Sequence, residues 1–202
     1  TTPPAPRGGG TGRARGPAGR KRGGLGRWYG VLRRQVKGAR RLSRIRTVSE
    51  ASRRDIANDF EVDAHRIQVI PLGVDEVFQP PTEPRVPGRI VAMASADAPM
   101  KGIATLLEAV AKLLTEREVE LVLVSRPTSG GRTEKLIERL DIGDRVSFVN
   151  GISDAELVAV MGSAEVACVP SLYEGFSLPT AELMACETPL VVSRAGAIPE
   201  VV

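Results

Sequence analysis

Aromatic side chains are nearly missing from this sequence: Phe, Trp and Tyr make up 3% of its 202 residues. That scarcity excludes the stacked aromatic platforms on which proteins hold single-stranded nucleic acid. Cysteine is as sparse. Cys168 and Cys186 form no C-x-x-C pair and are too few for a disulfide scaffold. His65 stands alone, so no zinc-ligand set can be assembled around histidine, and no D-x-D motif occurs. No apolar run reaches the roughly 18 residues of a membrane-spanning helix, and residues 1–26 hold no apolar stretch of the kind a secretory signal needs. Acidic residues are missing from one end only. Residues 1–54 carry 16 of the 28 basic residues and a single acid, Glu50, for a net of +15; residues 55–202 carry 12 basic and 23 acidic residues, for a net of −11. The overall charge of +4 describes neither part.

What is present follows the same division. Residues 1–26 have one large apolar residue, Leu25, too little to offset chain entropy, and they read as a disordered Arg/Gly/Pro-rich segment. A solvated tail is favoured over a nucleic-acid arm, because no aromatic is interleaved with the arginines. Residues 27–46 place Trp28, Val31, Leu32, Gln35, Ala39 and Leu42 at helical spacing, a basic amphipathic helix interrupted by Gly30 and Gly38. Such a helix can pack its apolar stripe on a domain, the favoured reading, or lie on an anionic membrane. A strand over 45–48, a helix capped by Ser49 and a strand over 67–70 follow. Residues 71–88 contain five prolines without helical or strand period; they read as a linker, with a domain boundary near residue 80.

Beyond the linker, strands are expected over 90–94, 119–125, 146–149, 166–169 and 190–193. Helices are expected over 101–117, 133–140, 153–161 and 178–186, the third opened by a capping box of Ser153 and Glu156. Apolar strands alternating with helices imply an α/β fold, a doubly wound parallel sheet covered on both faces. Ligands of such sheets bind in the loops at the carboxyl edge. Cys168 falls within an apolar strand and reads as a small core residue.

One of those loops carries a distinctive pattern. Ser171-Leu172-Tyr173-Glu174-Gly175-Phe176-Ser177 leads into a helix, and Glu174 and Glu182 form an E-x7-E spacing across its start. Gly175 allows close backbone approach. The free N–H groups of the helix start attract phosphate or sugar oxygens, and two carboxylates suit the recognition of a polyol. The stretch SLYEGFSLPTAELMACETPLVVSRAGAIPEVV resembles the donor-binding segment of the family 4 glycosyltransferases, retaining enzymes of the GT-B fold. Lys101-Gly102, FVNGISDAEL at 148–157, TVSEASRRDI at 47–56 and PLGVD at 71–75 are similar to further family segments and occur in family order.

The resemblance implies a Rossmann-like donor domain over 84–202, incomplete at its C-terminus, and a remnant of the acceptor domain with the interdomain linker over 27–80. It implies that Glu182 accepts from the donor ribose, that Glu174 sits by the transferred sugar, and that the N–H groups of Gly175, Phe176 and Ser177 line the sugar and diphosphate. It implies that Lys101 neutralises the departing diphosphate and that Ile152 and Leu157 flank the base. No metal or other cofactor is expected. The family places an arginine five residues before the lysine; Ala96 stands there, and Arg126 is the expected substitute. The implied partners are a nucleotide-sugar donor and an unspecified acceptor, at a cytoplasmic location, with peripheral contact at the inner membrane face through residues 27–46. With the acceptor half nearly absent, the chain as it stands is expected to bind donor and transfer nothing. The alternative is a non-enzymatic nucleotide-binding module with a basic arm for nucleic acid or membrane, which requires steep salt dependence of binding.

Overall fold

The structure is a computed structural model that describes residues 22–93 and 97–202. The disorder expected over 1–21, the strand end at Ala94 and the departure at Ala96 lie outside the described residues. Contacts divide the chain between Leu42 and Ser43.

The first unit contains helix α1, Arg22–Ala39. Two expectations change here. The helix begins at Arg22 rather than Arg27, because hydrogen bonds propagate cheaply beyond an existing turn, so residues 22–26 are helical and not disordered. It also runs through Gly30 and Gly38, where a Cβ would meet nothing within 4 Å. Leu42 lies beyond its end and is 53% exposed, so it is not part of the apolar stripe.

The second unit, Ser43–Val202, opens with a small βαβ motif. Strand β1 (Ile45–Thr47), helix α2 (Glu50–Asp59) and strand β2 (Ile67–Val69) form it, with β1 and β2 parallel and Ile45 opposite Ile67. Ser49 caps α2 by accepting from the Ser52 N–H, and Glu50 meets the helix dipole in the first turn. The proline-rich stretch 71–88 lies inside this unit, so contacts do not break near residue 80.

The main sheet is built from β3 (Val86–Met93), β4 (Glu120–Val124), β5 (Val146–Val149), β6 (Ala164–Val169) and β7 (Leu190–Val192). All pairings are parallel, in the order β5-β4-β3-β6-β7. Helices α3 (Ile103–Leu113), α4 (Arg132–Leu140), α5 (Asp154–Gly162), α6 (Leu178–Ala185) and α7 (Ile198–Val201) supply the crossovers and the final turn. Strand alternation sends Ile90, Ala92, Leu121 and Leu123 to one face, against Leu107 and Val110 of α3 and Ile137 of α4. Val91, Val122, Ala167 and Val169 go to the other face, against Met161 and Leu183. Two apolar faces per strand are what a parallel sheet covered on both sides requires. The fold is a doubly wound, Rossmann-like α/β sheet.

Chain order along the sheet reverses between β3 and β6, which makes the carboxyl ends of those two strands the topological switch point. Two boundaries of the elements that meet at this point differ from expectation. β3 begins at Val86, with a register shift between Val86 and Ile90. The helix expected from Lys101 begins at Ile103. Lys101 instead ends a single 3-10 turn, Pro99–Lys101, and Gly102 follows in the left-handed conformation (φ 66°). A Cβ on Gly102 would lie 1.9 Å from the Pro170 carbonyl oxygen, so the turn and the end of β6 are packed backbone to backbone.

Candidate functional site

The loops that leave β3 and β6 interlock. The Leu172 N–H donates to the Met100 carbonyl at 2.8 Å. The buried Ser171 gives its carbonyl to the Ser193 hydroxyl beyond β7. The Ala197 N–H donates to the Glu174 carbonyl at 2.9 Å. Gly196, at φ 54°, allows that approach, since a Cβ would fall 2.3 Å from the same oxygen. Three strand ends therefore fix the backbone on either side of Glu174.

The side chains converge there. Lys101 Nζ donates to Glu174 Oε1 at 2.6 Å, and the Ser171 hydroxyl donates to the same oxygen at 2.7 Å. The Glu174 side chain is 13% exposed and that of Lys101 33%. A mostly buried carboxylate is tolerable because it is paired and hydrogen-bonded. Lys101 and Glu174, more than seventy residues apart, thus meet at the switch point.

Gly175, Phe176 and Ser177 carry the loop into α6. Ser177 is buried and left-handed (φ 78°), with its hydroxyl 2.6 Å from that of Thr180. Glu182, half-buried and more than one turn into α6, has its carboxyl raised above the ordinary glutamate range by burial and, secondarily, by the charge of Asp154. Asp154 opens α5, and the half-buried Ile152 and Leu157 lie on either side of that helix start. Arg126 is exposed in the loop after β4, on the same sheet edge; among the described residues no hydrogen bond joins it to Lys101 or Glu174.

Several contacts were not legible in the spacing. Ser171 is one. Asp97 is another: its carboxylate accepts from the Thr133 N–H at 2.9 Å and caps α4 from outside, and that backbone bond holds its carboxyl below the usual aspartate range. The hydroxyls of Ser49 and Ser52 both donate to the Gly175 carbonyl, at 2.6 and 3.0 Å. The Tyr173 hydroxyl donates to Asp55 at 2.6 Å. His65 lies apart from this cluster, its side chain 93% exposed beside Asp63. Burial pushes the Cys168 thiol up to about 11, as suits a residue packed beside the core.

Among the described residues, no group of three or more His, Cys, Asp or Glu side chains is gathered to hold a metal ion. No helix among them is long and apolar enough to cross a membrane.

Comparison with known proteins gives one family, two curated relatives and two solved structures. The sequence pattern of the family described as "Glycosyl transferases group 1" matches residues 75–202. The MMP alpha-(1->4)-mannosyltransferase of Mycolicibacterium hassiacum is 55% identical over 174 residues, 86% of this chain and 42% of that protein. The D-inositol 3-phosphate glycosyltransferase of Mycolicibacterium smegmatis is 31% identical over 169 residues, 75% of this chain and 37% of that protein. The chain thus spans less than half the length of these curated relatives. Among solved structures, sucrose-phosphate synthase from Thermosynechococcus elongatus superposes with a TM-score of 0.70 at 28% identity, covering 84% of this chain and 45% of that one. HepE of Anabaena, in complex with UDP and glucose, superposes with a TM-score of 0.70 at 24% identity, over 85% of this chain and 50% of that one, a likeness of fold.

Proposed function

This chain belongs to the family of glycosyl transferases group 1, and from that premise we propose that it carries the donor half of a retaining transferase of family 4. On this reading it holds a nucleoside-diphosphate sugar without a metal ion. The observation that carries the proposal is the Lys101–Glu174 pair at the switch point, 2.6 Å long and immediately before the start of α6.

Before donor binds, Lys101 is neutralised by Glu174. A diphosphate entering beside α6 offers Lys101 a stronger anionic partner. The exchange leaves the Glu174 carboxylate free to accept from hydroxyls of the sugar. The N–H groups of Gly175, Phe176 and Ser177 line the sugar and diphosphate, and the helix start favours negative charge there. As the glycosidic bond breaks, charge grows on the departing diphosphate. Lys101 then stabilises that charge and takes the place of a metal ion. Glu182 accepts from the ribose hydroxyls, Ile152 and Leu157 flank the base, and Arg126 supplies a second cation. The 55% identity to a mannosyltransferase over 86% of this chain supports mannose as the sugar transferred. Transfer itself requires an acceptor held in line with the anomeric carbon, a task assigned to a partner domain. A cytoplasmic site of action belongs to the same proposal, with contact of α1 with anionic lipid as the alternative to packing of its apolar stripe; equal pelleting with neutral and anionic vesicles would remove the membrane contact.

Calorimetric titration with GDP-mannose, UDP-glucose and ADP-glucose, each beside its nucleoside diphosphate, tests the site. Glu182→Ala is expected to weaken both members of the bound pair by about tenfold or more, and Glu174→Ala to weaken the sugar nucleotide more than the bare diphosphate. If Glu174→Ala weakens both members equally, its assignment to the sugar is wrong.

A further inference from the structure

We infer that Ser49 and Ser52 are positioning residues for the donor sugar: their hydroxyls hold the Gly175 peptide so that the Phe176 N–H faces the ligand. The inference rests on the donor-site reading and deepens it.

The Gly175 carbonyl accepts two hydrogen bonds, from Ser49 Oγ at 2.6 Å and Ser52 Oγ at 3.0 Å. Two hydroxyls use both lone pairs of that oxygen. In a planar trans peptide the carbonyl and the following N–H point in opposite directions. Turning the Gly175 oxygen toward α2 therefore turns the Phe176 N–H away from α2, on the loop that carries Glu174. A flip of this peptide would break both bonds.

Helix capping alone does not account for the arrangement. A cap needs only an acceptor, and Ser49 meets that need by accepting from the Ser52 N–H at 3.0 Å. Its proton is left over, and it goes to Gly175. Ser52 sits inside α2, where alanine is the better helix former, so its hydroxyl contributes nothing to helix propensity. The start of α2 is itself held from a third side. The Glu200 carboxylate of α7 accepts from the Glu50 and Ala51 N–H groups, each at 2.7 Å, and Tyr173 reaches Asp55 from the donor loop. With both ends of this contact fixed, the two hydroxyls can set one peptide orientation.

The measurement is calorimetric titration of the full chain with GDP-mannose and GDP, and with UDP-glucose and UDP. For Ser52→Ala the helix is preserved or strengthened, yet affinity for the bound sugar nucleotide is expected to fall roughly fivefold, with the bare diphosphate within about twofold. Ser49→Ala with Ser52→Ala is expected to deepen the split, and Ser49→Thr alone, which keeps the hydroxyl, to leave both affinities within about twofold of wild type. Unchanged sugar-nucleotide affinity in Ser52→Ala, or equal loss for both ligands, overturns the inference while leaving the donor site standing. A wild-type chain that binds neither sugar nucleotide defeats the donor-site reading and this inference with it.

Discussion

Glu182 places a cost on the free protein that its proposed ligand would use. Its carboxyl is raised above the ordinary range, first by burial and then by Asp154. The folded state therefore binds this proton more tightly than the unfolded chain does. The contribution to stability is fully present below the unfolded pKa and is lost as pH rises through the folded value. Glu182→Gln is expected to raise the melting temperature at neutral pH and to lose that gain as the pH falls below the glutamate range. The same variant should weaken nucleotide binding, because an amide accepts fewer hydroxyls than a carboxylate. Thermal melts across pH, with and without nucleotide, check both signs; a variant less stable than wild type at neutral pH contradicts the argument. At this scale the sequence was partly legible. Lys101 and Glu174 were expected on one edge because loops after parallel strands share it, and they meet at 2.6 Å. Ser49 and Ser52 were not singled out as site residues, since their hydroxyls declare a partner only once chain segments up to 126 residues apart are brought together; Ser171 lies three residues from Glu174, but a loop without helical or strand period does not say which way a side chain turns.

Elements depend on a few backbone positions more than on helix pattern. The apolar face from Ile103 to Leu114 is regular enough to suggest that the helix starts at Lys101. The close approach of Pro170 instead inserts a left-handed Gly102, which ends one turn and opens the next. Gly102→Ala would force both a disfavoured φ and an overlap with a fixed carbonyl. We expect a loss of about 2–4 kcal/mol, read from denaturant unfolding, with Lys101 displaced from Glu174. A loss under about 1 kcal/mol would mean that the β3 and β6 loops separate easily. Ser153 offers a milder test. Its capping box with Glu156 is complete in the structure, as the spacing indicated, so Ser153→Ala is expected to cost about 1 kcal/mol. Chemical denaturation of this variant should show no change in the slope of the transition.

The whole molecule was legible in class and less so in partition. Alternating apolar strands and amphipathic helices specify a parallel sheet covered on both faces, and the five-stranded sheet is one. The break expected near residue 80 falls instead between Leu42 and Ser43. Proline density marks where the backbone lacks regular structure, whereas contacts across a boundary depend on side chains such as Ser49, Tyr173 and Glu200 that carry no such signal. The clasp of Glu200 on the start of α2 has a topological consequence. Residues 50 and 200 touch, so a segment near the start of the second unit lies beside its last helix, and the order in which its elements are strung is separable from the shape they take. A circular permutant that joins Val202 to Ser43 by a short Gly/Ser bridge and opens the exposed tip between Ser129 and Gly130 should still melt in one cooperative transition. It would lack continuity at an exposed turn, and with it the Gly131 N–H to Thr128 carbonyl bond that spans the cut. Noncooperative melting would show that the clasp is too weak to take over the work of a peptide bond, and that this architecture must be read from one end.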